Sequence, residues 1–82
     1  MLESLRGISK TVGIKQTLKA VEKGNAKAVY LAKDADERVI GGLKELCQKN
    51  SVDILYVDSM KQLGKACDIE VDAATVAILK SN

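Results

Sequence analysis

A chain of 82 residues, 46% of them apolar, has room for one small domain, which closes its core only by burying about 60% of the unfolded surface. Without Phe, Trp or His, and with only Tyr30 and Tyr56 as aromatics, it must build an aliphatic core. It lacks the stacking platform of single-stranded nucleic-acid binders, most zinc geometries and the commonest general base. The net charge of +2 conceals a division: seven basic against two acidic residues up to Lys33 give +5, and six against nine from Asp34 onward give −3. Such asymmetry is the footprint of an anionic partner on one side of the molecule.

In chain order, Leu2, Leu5 and Ile8 at spacing three predict a short helix over 2–8. Thr11 and Val12 form a brief strand before Gly13. The stretch from Thr11 to Gly24, "TVGIKQTLKAVEKG", then carries Ile14, Leu18 and Val21 at helical spacing and stops at Gly24-Asn25. "KAVYLA", 27–32, reads as a strand buried on both faces. "DADERVIGGLKELCQKN", 34–50, reads as a helix capped by Asp34 with Glu37 in reciprocal position. Its apolar stripe is Val39, Ile40, Leu43, Leu46 and Cys47.

"DILYV", 53–57, reads as a second buried strand, "SMKQLGKAC" as a helix capped by Ser59, and "TVAIL", 75–79, as a final strand. Strands alternating with helices predict an α/β sandwich in a single domain spanning 1–82. No apolar run approaches the roughly 20 residues of a membrane span, and 1–10 lack a signal-peptide core. A cytoplasmic protein without a membrane partner is expected. Cys47 and Cys67 stand outside any Cys-x-x-Cys pairing and read as reduced core residues.

The helix after Gly13 opens with the wrong charges. A helix N-terminus carries partial positive charge, so acids are favoured there and Lys is not; this one begins with Lys15, preceded by Lys10 and followed one turn later by Lys19. The helix from Asp34 obeys the rule in the same chain. Gly13 permits close backbone approach, the free N–H groups suit phosphate, and Gln16 adds a neutral donor and acceptor. The plain alternative is that Lys15, Lys19 and Lys23 form the solvated face of an amphipathic helix.

Two further features stand out. Ile69 and Val71 flank Glu70 in "CDIEVDAA", a loop that puts apolar side chains at a contact surface or folds them onto the core. Gly64 interrupts a helix at a cost of about 1 kcal/mol relative to Ala, which close packing, or else close approach of a ligand, explains. Asp34, Asp36 and Glu37 are explained by capping, and no cluster combines nucleophile, base and orienting group. No enzyme, cofactor or metal site is expected, and the P-loop spacing is absent.

"GIKQTLKAVEKGNAKAVYLAKDAD" followed by "LCQKNSVDILYVDSMKQLGKACDIEVDAATVAI" resembles the kink-turn RNA-binding ribosomal proteins, the L-seven-Ae family and its L-thirty-e relatives. The resemblance covers about Ile8 to Leu79. It implies a three-layer α-β-α sandwich around a small mixed four-stranded sheet. It also implies a non-catalytic, monomeric ribonucleoprotein component that binds RNA bent at a bulge beside tandem sheared G·A pairs, in the ribosome or with other RNA-binding proteins.

In the family's Gly-x-Asn-Glu-x-x-Lys motif, Gly13 matches the Gly, Lys15 the Asn, Gln16 the Glu and Lys19 the Lys. The resemblance assigns Lys15 and Gln16 to the G·A pairs, Lys10 and Lys19 to phosphates, and Ile69, Glu70 and Val71 to the bulged nucleotides. Lys15 and Gln16 depart from the commonest motif, and Asp68 and Asp72 replace Gly and Pro of many relatives. A second reading is a protein-interaction module that docks an acidic partner through the basic helix start. A third is a small-molecule phosphate-ligand binder or enzyme, disfavoured by the absence of a nucleophile and base.

Overall fold

In a computed structural model that describes residues 5–80, seven elements follow one another. They are β1 (Lys10–Val12), α1 (Ile14–Glu22), β2 (Ala26–Ala32), α2 (Glu37–Lys49), β3 (Asp53–Val57), α3 (Met60–Ala66) and β4 (Thr75–Leu79). The sheet order is β1-β4-β2-β3. β4 is antiparallel to both β1 and β2, whereas β2 and β3 are parallel.

This order fixes the layers. β1, β2 and β3 all run the same way, and the crossovers β1-α1-β2 and β2-α2-β3 step across the sheet in one direction. Right-handed crossovers therefore place α1 and α2 on one face, where they pack against each other. α3 joins β3 to the antiparallel β4 and packs on β2, β3 and β4 from the other face. The result is the three-layer α-β-α sandwich around a mixed four-stranded sheet.

The core is aliphatic, with Val21, Val29, Leu31, Leu43, Leu63 and Val76 fully buried. Cys47 and Cys67 are free and buried, and burial pushes both thiols up, although the Lys10 charge works against this at Cys67. Raised, enclosed thiols are inert as nucleophiles.

Four expectations are corrected. Leu2 to Ser4 lie outside the described residues, and Leu5–Ile8 form a turn rather than a helix. The Leu5 N–H donates to the Ala66 carbonyl at 2.8 Å, which ties this segment to the end of α3 instead of to its own next turn. Asp34 does not cap α2. Asp36 does, its carboxylate accepting from the Arg38 N–H at 2.9 Å.

Asp34 instead reaches across to accept from the Met60 N–H of α3 at 2.8 Å, beside the Ser59 hydroxyl that accepts from Gln62 N–H at 3.1 Å. β3 is not buried along its length: it is an outer strand beyond which no strand pairs among the described residues, and Leu55 and Tyr56 are exposed while Val57 is buried. Val39 leaves the apolar stripe of α2 and is exposed, while Ile40, Leu43 and Cys47 carry the packing.

Candidate functional site

Each helix follows a strand of one common direction, so α1, α2 and α3 all begin at the same end of the sheet. Ligands of open α/β sheets bind at that end. The starts of α2 and α3 are occupied by Asp36, and by Asp34 with Ser59. The start of α1 is open. Gly13 stands at its cap position with φ 103° and ψ 158°, has no side chain to cap with, and no acid occupies the first turn.

That φ lies where L side chains are strained. It is held by a 3.0 Å hydrogen bond from the Gly13 N–H to the Thr75 carbonyl, at the first residue of β4. Lys15, Gln16 and Lys19 project into solvent around this start. Thr17 turns inward and is fully buried, and its hydroxyl has no hydrogen-bond partner among the described residues.

The loop 67–74 leads directly into Thr75 and so emerges beside Gly13. It is fastened to α3 by N–H donors of Asp68 to Lys65, Ile69 to Gly64 and Ala73 to Met60, at 3.0–3.2 Å. Gly64 is the seat of the loop. A Cβ on Gly64 would overlap the Val71 carbonyl oxygen and stand 3.2 Å from the Val71 carbonyl carbon and 3.3 Å from Asp72 Cα.

Fixed in this way, the loop divides its apolar pair. Ile69 packs against the core, whereas Val71 is 67% exposed with Glu70 beside it. Asp68 adopts φ 59° and pairs with Arg6 at 3.4 Å.

Of the residues singled out by sequence, Gly13, Lys15, Gln16 and Lys19 share one helix start, and the Ile69–Val71 loop borders it. Lys10 is not gathered with them. Its ammonium donates to the Leu5 carbonyl at 3.0 Å and the Ile8 carbonyl at 3.5 Å. Successive strand residues face opposite sides, so Lys10 faces the N-terminal turn while Thr11 faces α1.

Sequence reasoning missed a groove on that flank of α1. It measures about 190 Å³ and is lined by Thr11, Gln16, Lys19, Ala20, Lys23, Asn25 and Leu79. Its available signal was the recurrence of lysine at every fourth position, Lys15, Lys19 and Lys23, which places all three along one side of the helix.

Known proteins are similar to this chain in sequence or fold. An RNA-binding protein of Bacillus pumilus is 53% identical over 68 residues, covering 83% of both chains. One from Geobacillus thermodenitrificans is 48% identical over 69 residues, covering 84% of both. Among solved structures, the Giardia lamblia 15.5kD RNA binding protein superposes with a TM-score of 0.84 at 29% identity. The match covers 90% of this chain but 62% of that one. The sequence profile of one family matches residues 6–82, and the chain belongs to that family, the ribosomal protein L7Ae/L30e/S12e/Gadd45 family.

Proposed function

We propose that this protein binds RNA, and in particular binds and stabilises kink-turns with tandem sheared G·A pairs, as a non-catalytic, ribosomal-protein-like factor. The observation that carries the reading is the open start of α1. An uncapped N-terminus without acids, ringed by Lys15, Gln16 and Lys19, is matched to an anion that also offers base edges. Family membership and the names of the relatives support an RNA partner.

The roles follow the resemblance, and the chemistry of each residue is compatible with them. Gly13 lets an RNA backbone approach, and Lys19 neutralises phosphate. Lys15 donates to guanine O6 and N7, and Gln16 both donates and accepts. Val71 covers a bulged base with its exposed apolar side chain. Because these contacts match bent RNA better than extended RNA, binding shifts the RNA population toward the bend.

The test is titration at one fixed near-physiological salt concentration against a kink-turn RNA and a control whose G·A pairs are converted to Watson–Crick pairs. A preference of at least tenfold for the kink-turn is expected. Equal, weak binding to both would reduce the site to a basic patch and bring forward an acidic protein as partner.

A further inference from the structure

We propose that the groove along the flank of α1 is a second RNA contact, which takes the sugar–phosphate backbone of a stem leading away from the kink. The inference rests on the RNA-binding reading above, and extends the interface from the start of α1 to the opposite end of the molecule. The groove begins at Gln16 and Lys19, which already belong to the proposed site, and ends at Asn25 and Leu79. Thr11 in the middle of β1 and Leu79 at the end of its partner β4 place two sides of the groove on the sheet, with α1 as the third.

Its chemistry is that of a backbone seat. Ala20 and Leu79 contribute apolar surface, while Thr11, Gln16 and Asn25 supply neutral donors and acceptors suited to phosphate oxygens and 2′-hydroxyls. Lys19 and Lys23 supply the charge, and no lining residue is acidic. Lys15, Lys19 and Lys23 rise in steps of about 6 Å along the helix axis. Among the described residues, none of the three is held in an ion pair.

The far end of the groove carries an independent sign of the same use. Ala26 pairs with Leu79 and Ala28 with Ile78, so Lys27 is the extra residue of a β-bulge in β2. Bulges re-aim side chains and are retained for that purpose; here the exposed residue is a lysine two positions beyond Asn25. The Lys80 N–H donates to the Asn25 carbonyl at 2.7 Å, which ties the chain after β4 to the rim of the groove. An exposed lysine, Lys27, thus lies just past the groove, where a stem would run after leaving the kink site.

The experiment combines Lys23→Ala with Lys27→Ala, two exposed positions, and confirms folding by thermal unfolding. Binding is measured over a salt series on kink-turn RNAs with long stems and on versions with each stem cut short in turn. The wild type should bind one long-stem RNA more tightly than its shortened version. The double variant should lose about tenfold on that long-stem RNA, with a salt slope smaller by about 2, since each phosphate contact contributes roughly 0.9.

On the shortened RNA, variant and wild type should agree within twofold. Wild-type affinity that does not depend on either stem's length overturns the proposal, as does an equal loss on long and short RNAs. The kink-turn reading fails separately, by equal binding to the G·A control. Stem-length dependence that the variant abolishes on that control still supports the groove.

Discussion

The starts of α1 and α2 lie at the same end of the same sheet and are built in opposite ways. α2 begins with Asp36 and Glu37, and a two-pronged Arg38 contact at 3.0–3.3 Å steadies the capping carboxylate. α1 begins with Gly13 and presents Lys15 to a dipole that disfavours it, while Lys19 follows one turn on, in the last turn of the helix. The difference marks a helix start that the fold leaves without a counter-charge. A chain able to cap α2 and α3 leaves α1 open, and on the proposed RNA-binding reading the missing counter-charge comes from the ligand.

The largest effect comes from making α1 resemble α2. Replacing Lys15 and Lys19 together by Glu supplies the missing acids and removes the positive ring. Affinity for kink-turn RNA should fall at least 100-fold, about 3 kcal/mol. Stability should change by less than about 1 kcal/mol, because the acid gained near the helix start at position 15 is favourable whereas the one at position 19 enters the last turn and is not. Titration and thermal unfolding on the same preparation distinguish the outcomes. A variant that loses both binding and stability would show that these lysines serve the fold.

Gly64→Ala sharpens the comparison from the side of α3, whose closed start leads to the seat of the loop beside Gly13. Alanine favours the helix by about 1 kcal/mol, but its Cβ meets the backbone of Val71 and Asp72, which cannot swing aside as a side-chain tip would. Overpacking of this kind costs about 1–3 kcal/mol. A net destabilisation of up to about 2 kcal/mol is expected in denaturant unfolding. Binding to kink-turn RNA should fall more than binding to plain duplex, because Val71 moves while the lysines stay. Equal losses on both RNAs would detach the loop from recognition of the kink.

These contrasts were unequally legible in the sequence. The open start of α1 could be read directly, because charge and glycine within one helical turn are local facts. That Asp34 serves α3 could not be read, since its partner Met60 lies 26 residues away and only the parallel pairing of β2 with β3 brings the two together. The exposure of Leu55 and Tyr56 was hidden for a related reason. "DILYV" has the composition of an interior strand, and its outer place is set by the order of the sheet.

Lys10 shows the same limit at shorter range. The two-residue period separates it from Thr11, but which side carries α1 depends on the handedness of the crossover. Likewise, the alternation of Ile69 inward and Val71 outward rests on the fit of the loop to Gly64, a contact between backbone segments that no spacing rule reports.

The smallest effect isolates the cap of α2. The Arg38 guanidinium first, and the Arg38 backbone N–H second, hold the Asp36 carboxyl below its ordinary value of 3.8. A carboxyl whose pKa is lower in the folded chain than in the unfolded chain stabilises the fold above the unfolded value. That contribution is lost as pH falls through the folded value. Asp36→Asn retains a capping oxygen but cannot ionise. Wild type and variant should therefore run parallel above about pH 5 and converge or cross below about pH 4. The shift should be at most a few degrees in Tm, since the pair is exposed and screened by solvent. Thermal unfolding at low salt between pH 6 and pH 2.5 makes the comparison, and curves parallel throughout would show that the carboxylate charge adds nothing to the cap.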